Sequence, residues 1–408
     1  MIIDKIIDFF VLLIMKLINI FSLFFYQIIL HDLCSLASSS LSEKRKHLDR
    51  IIVVVRHGDR APLFPFAFDR DRMNELWPNG YGYLTSEGRT RMYRIGQFLR
   101  RRYSYQFPGR YISPRDVYIR SSTIPRCLES SQLIAAGLSP PIGVWQWKSD
   151  IGELWQPVPI FTVQRWREAL LNPSSNCELA FRLFERIRNS PVVKNYLLLH
   201  QEIIQNISCI THENLRDHRE IREFVDNLVS SKHHGRRLPK WCTANVYNQL
   251  KEIFDISLRF DYTGEIEPEL RRLRAGVLMN EIFKGLDPDI DPYRSRLSIY
   301  VTHDSQLLHL RDALGLDMNS VSLMFGSMLM FEYNKQEDSV HLYSANVPGP
   351  MDRITAEELK IPVCEKNLTR IPLGYLQTKY KHLFLDLDEF DRQCGNSNDG
   401  KQPMDPYL

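Results

Sequence analysis

The sequence predicts an α/β fold: a mixed, mainly parallel sheet flanked by helices on both faces, with a smaller, mostly helical inserted domain. Three short runs rich in β-branched and aromatic residues are typical of buried strands: 51–55, 117–119 and 297–301. Residues 321–343 predict a late β-hairpin. The chain has 408 residues, of which 44% are hydrophobic and 25% charged, and this composition is typical of a globular protein with a large core.

Helical patterns fill the intervals between the predicted strands. Thr85 is a suitable N-cap for a helix that runs through Tyr103, and apolar residues at helical spacing predict another helix over 268–286. Residues 177–260 are polar and helical in pattern, with breaks at prolines. We therefore expect an α/β domain made of 48–170 and 262–394, a helical insertion or cap over 171–261 and a disordered tail over 395–408.

The first 37 residues predict a secretory signal. Residues 6–30 are mostly apolar, and SLA at 35–37 has the small-x-small pattern that signal peptidase cleaves. Lys16 divides the apolar run, so translation from Met15 also gives an ordinary signal peptide. An uncleaved membrane anchor is the alternative, because the run exceeds the ~20 residues that cross a bilayer. The first interpretation predicts a secreted or lysosomal protein, and the second predicts one anchored in a membrane.

Charge and cysteine content exclude several classes of function. The net charge of +3 is small, and we expect no nucleic-acid partner. No two cysteines have the CxxC spacing of a zinc site or a redox dithiol, and we expect neither a metal nor a cofactor. Cys34 lies in the leader, and the remaining even number permits disulfides without specifying their pairing. N-glycosylation sequons at Asn206 and Asn367 agree with export.

Charged residues or histidines follow each predicted strand. Arg56 and His57 follow the first strand, Arg120 the second, and His303 and Asp304 the third. In an open α/β sheet ligands bind beyond the carboxyl ends of the strands, so we expect these side chains to converge on one anion. Arginine donates a planar pair of hydrogen bonds that matches phosphate oxygens, and a neutral histidine is able to act as a covalent nucleophile.

The motif RHGDRAP at 56–62 and the distant His303-Asp304 pair resemble the histidine acid phosphatases, in the branch of the prostatic and lysosomal enzymes. Further segments resemble family segments in the family's order: WPNGYGYLT at 77–85, VYIRS at 117–121, LWQPVP at 154–159, LPKW at 238–241 and GVLMNE at 276–281. The resemblance extends from about residue 49 to about residue 350, which is most of the chain.

This resemblance implies an acid phosphatase that hydrolyses phosphate monoesters through a phosphohistidine intermediate. His57 would attack phosphorus, and Asp304 would protonate the leaving alcohol and then help to activate water. The negative charge of the phosphate favours the protonated form of Asp304, so we expect activity to peak at acidic pH. Four residues would hold the phosphate oxygens: Arg56, Arg60, Arg120 and His303.

The chain departs from the family pattern after residue 121. The prostatic branch continues Thr-Asp-x-Asp-Arg, whereas this chain has STIPR at 122–126, which is closer to the lysophosphatidic acid phosphatases. A lipid phosphate phosphatase is therefore an alternative, and a non-catalytic phosphate-binding surface protein is another. The expected partners are small phosphate monoesters, with phosphoproteins or lysophospholipids among the candidates, and a membrane only if residues 1–37 stay uncleaved. The dimers of the family imply a homodimer, and Cys177 and Cys394 match family cysteine positions.

Overall fold

The computed structural model describes residues 47–66, 73–172, 177–318, 323–363 and 366–395. The predicted leader, Cys364 and residues 396–408 of the predicted tail lie outside these ranges. No helix within them combines the length and the apolar character that crossing a membrane requires.

The described ranges contain strands and helices in both mixed and uninterrupted series. The strands are β1 (Arg50–Arg56), β2 (Val117–Ser121), β3 (Ile160–Phe161), β4 (Leu297–Thr302), β5 (Met328–Asn334), β6 (Ser339–Asn346), β7 (Thr355–Leu359), β8 (Ile361–Val363) and β9 (Lys366–Leu368). The helices are α1 (Met73–Leu76), α2 (Ser86–Tyr103), α3 (Pro125–Leu138), α4 (Glu178–Asn189), α5 (Pro191–Leu199), α6 (Gln201–Thr211), α7 (His218–His233), α8 (Ala244–Tyr262), α9 (Pro268–Gly285), α10 (Asp304–Ala313), α11 (Leu373–Tyr380) and α12 (Leu387–Cys394).

Seven of these strands form one mixed sheet in the order β3-β2-β4-β1-β5-β6-β7. The strands β3, β2, β4 and β1 run parallel to one another, whereas β5, β6 and β7 are antiparallel to their neighbours. The three strand runs predicted from the sequence are the adjacent central strands β2, β4 and β1, and the predicted hairpin is β5 and β6. These findings confirm the α/β fold with a mixed sheet whose central strands are parallel.

The register of the sheet aligns the ends of its central strands. Arg56 at the end of β1 lies opposite Thr302, and Arg120 near the end of β2 lies opposite Tyr300. Just beyond β1, the His57 amide donates to the carbonyl oxygen of Thr302 at 2.9 Å. Because parallel strands end at the same edge, the residues that follow β1, β2 and β4 all lie at one edge of the sheet.

Alternate residues of β1 belong to two separate apolar cores. Ile52 and Val54 pack with α9, α10 and α11 on one face, and Ile51, Val53 and Val55 pack with α2 and α3 on the other. None of these five residues is more than 1% exposed. Burial on both faces explains why residues 51–55 of β1 form an uninterrupted apolar run, and it confirms the predicted helices on both faces of the sheet.

Helices α4 to α8 follow one another along the chain between β3 and α9. Pro191 lies in the first turn of α5 behind its N-cap Ser190, and Pro239 lies between α7 and α8, so each predicted break separates two helices. Apolar residues of α7 and α8 share a core with Leu308 of α10. The boundaries of the helical insertion, 171–261, stay a prediction.

A disulfide joins Cys177, directly before α4, to Cys394, the last residue of α12. These are the two cysteines that match family positions. Cys127, Cys209 and Cys242 have free thiols. The disulfide therefore ties the start of the helical segment to the end of the described chain.

Candidate active site

The residues that follow β1 form a loop, 57–64, that packs against the first turn of α2; we call it the His57 loop. A Cβ atom at Gly58 would lie 2.7 Å from the carbonyl oxygen of Gly88, and one at Gly88 would lie 2.1 Å from the carbonyl oxygen of Asp59. The Thr85 amide also donates to that Asp59 oxygen at 2.9 Å. Glycine is required at both positions because the two backbones approach too closely for any side chain.

His57 is buried, with 1% of its surface exposed. Its Nδ1 lies 2.9 Å from the carbonyl oxygen of Gly58. A carbonyl oxygen only accepts hydrogen bonds, so Nδ1 carries the ring proton and Nε2 keeps its lone pair. Burial lowers the pKa of His57 well below its usual value, and the charges of Arg126 and Arg56 lower it further. His57 is therefore a neutral imidazole with a free nitrogen, which is the form suited to nucleophilic attack.

His303, which follows β4, lies next to His57. The centroids of the two rings are 5.6 Å apart. His303 Nδ1 lies 3.3 Å from Nη2 of Arg126, which only donates, so the ring proton is on Nε2, 3.1 Å from Ser122 Oγ. Burial and the charge of Arg126 lower the pKa of His303, and this histidine is also neutral.

Arg56 and Asp304 form an ion pair at the same edge of the sheet. Arg56 Nη2 lies 2.6 Å from Asp304 Oδ2, and its Nη1 donates to the carbonyl oxygen of Leu323. The guanidinium lies over the ring of Phe325, 4.2 Å from the centroid. Burial by itself raises the pKa of Asp304, but the charges of Arg56 and Arg60 outweigh burial and the pKa is lowered. In this arrangement Asp304 is ionised.

Arg60 makes a bidentate ion pair with Asp226, a residue that the sequence analysis did not single out. The distances are 3.0 Å from Nη1 to Oδ2 and 2.9 Å from Nη2 to Oδ1. Asp226 belongs to α7 and lies 166 residues further along the chain. Burial acts to lower the pKa of Arg60, but the charge and hydrogen bonds of Asp226 raise it overall. Arg60 is therefore firmly cationic.

Arg120 reaches the predicted edge of the sheet, and its guanidinium is bound to a carboxylate there. Its Nη2 lies 2.8 Å from Glu168 Oε2, and its Nη1 donates to the carbonyl oxygen of Ser121 at 2.6 Å. The other Glu168 oxygen accepts the amides of Leu170 and Leu171, at 3.2 and 3.0 Å. Both side chains of the ion pair are buried. Glu168 is a second partner that the sequence analysis did not single out.

Arg126, in the first turn of α3, is a site residue that the sequence analysis missed. Arg56, Arg60 and Arg126 each have a buried Nε with no hydrogen-bond partner in the described part of the chain. Buried donors without partners are costly, and together they suit an anion. Burial, and then the charge of Arg60, lower the pKa of Arg126 to about 10. The available signal was the position of Arg126 at the end of STIPR, where the family motif also ends in arginine.

The structure brings five of the six predicted site residues close together: His57, His303, Asp304, Arg56 and Arg60. The sixth, Arg120, lies at the same edge of the sheet but is bound to Glu168. In the ranges that the structure describes, no group of three histidine, cysteine, aspartate or glutamate residues is arranged to hold a metal ion.

Comparison with known proteins agrees with this geometry. The chain matches the histidine phosphatase superfamily (branch 2) over residues 47–346. It is 30% identical over 325 residues to the lysosomal acid phosphatase of Xenopus laevis, which covers 78% of this chain and 73% of that protein. It is 33% identical over 272 residues to the prostatic acid phosphatase of Rattus norvegicus, which covers 66% of this chain and 70% of that protein.

The fold is also similar to that of a solved phytase. The apo form of Hafnia alvei phytase has a TM-score of 0.60 and 16% sequence identity, and the match covers 84% of this chain and 98% of that chain. At this identity the likeness concerns the fold alone. The match over residues 47–346 and the identity to the two acid phosphatases establish that the chain belongs to branch 2 of the histidine phosphatase superfamily.

Proposed function

We propose that this protein is an acid phosphatase that hydrolyses phosphate monoesters through a phosphohistidine intermediate. The observation that carries the proposal is the hydrogen bond from His57 Nδ1 to the Gly58 carbonyl oxygen, which leaves Nε2 free. Arg126, Arg56 and Arg60 all lie close enough to lower the pKa of this histidine. The related proteins named above are acid phosphatases, so the geometry and the family support the same activity.

In the first step His57 Nε2 attacks phosphorus, and the bond from phosphorus to the ester oxygen breaks as the P–N bond forms. Asp304 gives its proton to the leaving oxygen. In the second step water attacks phosphorus, Asp304 accepts a proton from that water, and the P–N bond breaks. Inorganic phosphate leaves with this proton, so His57 returns to its neutral form and Asp304 to its ionised form.

The proton on Asp304 is supplied together with the substrate. Ionised Asp304 is stabilised by Arg56, which lowers its pKa. A bound phosphate draws Arg56 away from the carboxylate and adds negative charge beside it, and both effects raise the pKa of Asp304. A phosphate monoester also carries a proton of its own below about pH 6. Activity is therefore expected on the acid side of neutrality.

We propose that Arg56, Arg60, Arg120 and His303 hold the phosphate oxygens, and we add Arg126 to this set. Among the described residues, the buried Nε of Arg126 has no partner and its guanidinium makes no ion pair with a carboxylate, which supports that role.

We also propose that the chain enters the secretory pathway and is secreted or lysosomal. The disulfide between Cys177 and Cys394 supports an oxidising compartment. Asn206, the first residue of a glycosylation sequon, is exposed on α6. Relatives named lysosomal acid phosphatase support the same route. A protein from secreting cells whose mobility is unchanged by glycan removal contradicts glycosylation.

A homodimer through the β3 edge of the sheet is proposed as well. β3 is one of the two edge strands, and the segment around it exposes large apolar side chains: Ile142, Val144, Trp147, Ile151, Leu154, Trp155, Phe161 and Val163. An exposed apolar cluster of this kind marks an interaction surface, and an open edge strand is able to pair. Light scattering that gives the mass of a single chain at micromolar concentration contradicts the dimer.

The activity itself is tested with p-nitrophenyl phosphate between about pH 4 and about pH 8, with and without EDTA. We expect EDTA-resistant hydrolysis that is fastest at acidic pH, and a kcat at least about 10³-fold lower in His57→Ala. The matched control is His341→Ala, because His341 pairs with Glu358 on β7, outside the site. Turnover by His57→Ala at the wild-type rate contradicts the mechanism, and hydrolysis of lysophosphatidic acid alone supports the narrower lipid phosphatase.

A further inference from the structure

One face of α7 lies against the His57 loop. Asp226, Ser230 and His233 are separated by four and three residues, so they occupy one side of the helix. Each of the three hydrogen-bonds to the loop. Because α7 belongs to the helical segment between β3 and α9, the loop that carries His57 is held by a part of the chain far away in sequence.

The strongest of these contacts holds the side chain of Arg60. Both terminal nitrogens of the guanidinium bind the two oxygens of Asp226, at 3.0 and 2.9 Å. The side chains are 6% and 14% exposed, so water competes little for the pair. A planar, bidentate pair fixes orientation as well as position, which a single contact does not.

The same helix also holds the backbone of Arg60. Ser230 Oγ donates to the Arg60 carbonyl oxygen at 3.0 Å, and Nε2 of His234, the residue after α7, lies 3.2 Å from the same oxygen. Asp226 Oδ2 accepts the amide of Leu63 at 3.2 Å. The side chain and the main chain around Arg60 are therefore fixed by one element.

The ion pair with Asp226 leaves the Nε of Arg60 as an oriented hydrogen-bond donor. The pair uses both terminal nitrogens, whereas the buried Nε has no partner in the described ranges. A donor that is already oriented binds a phosphate oxygen without the free-energy cost of reorganisation, and the benefit persists in the transition state.

We propose that Asp226 is a positioning residue of the active site, which holds Arg60 in the orientation in which that arginine binds phosphate. The inference rests on the proposed function, because that function assigns Arg60 to the phosphate. Asp226 touches no reacting atom and acts through Arg60. Helix α7 therefore contributes a residue that the active site requires.

A purely electrostatic role and a positioning role for Asp226 predict opposite changes in phosphate affinity when the carboxylate is removed. If the carboxylate acted only by its negative charge, its removal would leave the site more positive and would strengthen phosphate binding. If it positions Arg60, its removal lets the guanidinium turn away and weakens phosphate binding. The sign of the change in phosphate affinity therefore separates the two roles.

The experiment measures the Kd of inorganic phosphate by calorimetry and the kinetics of p-nitrophenyl phosphate hydrolysis in the full chain. For Asp226→Asn we expect a phosphate Kd about tenfold higher and a kcat/KM about 10²-fold lower, as for a misplaced binding group. Asp226→Glu keeps the negative charge but displaces the carboxylate that binds Arg60, so we expect a similar loss of phosphate affinity and of kcat/KM. The matched control is Glu223→Gln, since Glu223 also lies on α7 but pairs with Arg219 at 3.1 Å.

A double-mutant cycle tests whether Asp226 acts through Arg60. In an Arg60→Gln background, Asp226→Asn should weaken phosphate binding no further. Phosphate binding that is unchanged or tighter in Asp226→Asn, normal kinetics in Asp226→Glu, or the full loss in the Arg60→Gln background each overturns the inference. These results beside an active wild type leave the proposed function intact, whereas a wild type that neither binds phosphate nor hydrolyses the ester overturns both.

Discussion

The His57 loop is held between two regions that differ in chemistry. At the edge of the sheet it meets Arg126 and His303. Burial, and then the positive charge there, lower the pKa of His57 and His303. Along α7 it meets the Asp226 carboxylate and the Ser230 hydroxyl, which bind the side chain and the backbone of Arg60. The sheet edge therefore sets the protonation and charge of the reacting groups, whereas α7 sets the geometry of the loop.

The largest effect beyond His57 is expected at the sheet edge, from Asp304→Asn. Loss of the acid should lower kcat for alkyl phosphates by roughly 10²–10⁴-fold, because a poor leaving group requires a proton. The loss should be smaller for p-nitrophenyl phosphate. The measurement is the slope of log kcat/KM against the pKa of the leaving alcohol, which should steepen in the variant.

The control for this variant is Asp255→Asn, because Asp255 pairs with Lys251 on α8, at 2.6 Å. An equal loss for all leaving groups contradicts an acid role and assigns to Asp304 only the orientation of Arg56.

Substitution of the two sheet-edge arginines Arg126 and Arg120 should have different effects, the first mainly on kinetics and the second mainly on stability. Arg126→Gln should lower kcat/KM by about 10²–10³-fold, because it removes a donor to the transition state. Its melting temperature should change little, because Arg126 has no ion pair with a carboxylate in the described ranges. Arg120→Gln leaves the buried Glu168 carboxylate without its cation and should cost about 3–5 kcal/mol in the free energy of unfolding. Both variants are compared by their kcat/KM and by thermal denaturation. A larger loss of stability in Arg126→Gln than in Arg120→Gln contradicts the prediction.

The sheet edge was predictable because its groups lie next to strand ends. His57 directly follows β1, whose residues 51–55 are all apolar, and His303 directly follows the buried strand β4, so a local pattern was enough to place both residues. Arg126 lies five residues beyond β2, inside the first turn of a helix. At that distance the strand no longer indicates where a side chain goes, and the family motif was the remaining signal.

The contacts of α7 were not predictable from local patterns. Asp226 is 166 residues from Arg60, in a helix with many polar positions. Which of those positions faces the His57 loop depends on how α7 packs on its neighbours. Glu168 is likewise 48 residues from Arg120 and lies outside any helix or strand. Partners of this kind are decided by tertiary packing, which a single sequence does not display.

Asp59 of the His57 loop binds both α2 and α7, and it provides the prediction with the smallest kinetic effect. Its carboxylate lies 2.5 Å from Arg91 Nε on α2 and 2.5 Å from His233 Nε2 on α7. Burial by itself raises the pKa of Asp59, but the hydrogen bonds from His233 and Arg91 outweigh burial and lower it. A lowered pKa in the folded state means that the stabilisation is complete above the unfolded value of about 4 and is lost as pH falls through the folded value.

Arg91→Gln should therefore destabilise the fold in a pH-dependent way. Near neutral pH it leaves a buried carboxylate with His233 alone, which should cost about 3–5 kcal/mol in the free energy of unfolding. Below about pH 4 the Asp59 of the variant gains a proton more readily than that of the wild type, so the difference in stability should shrink. Melting temperatures of both proteins between about pH 3 and about pH 7 test this, with Arg89→Gln as the exposed control on the same helix. A difference that stays constant with pH would mean that Arg91 stabilises the fold by packing and not through the charge of Asp59.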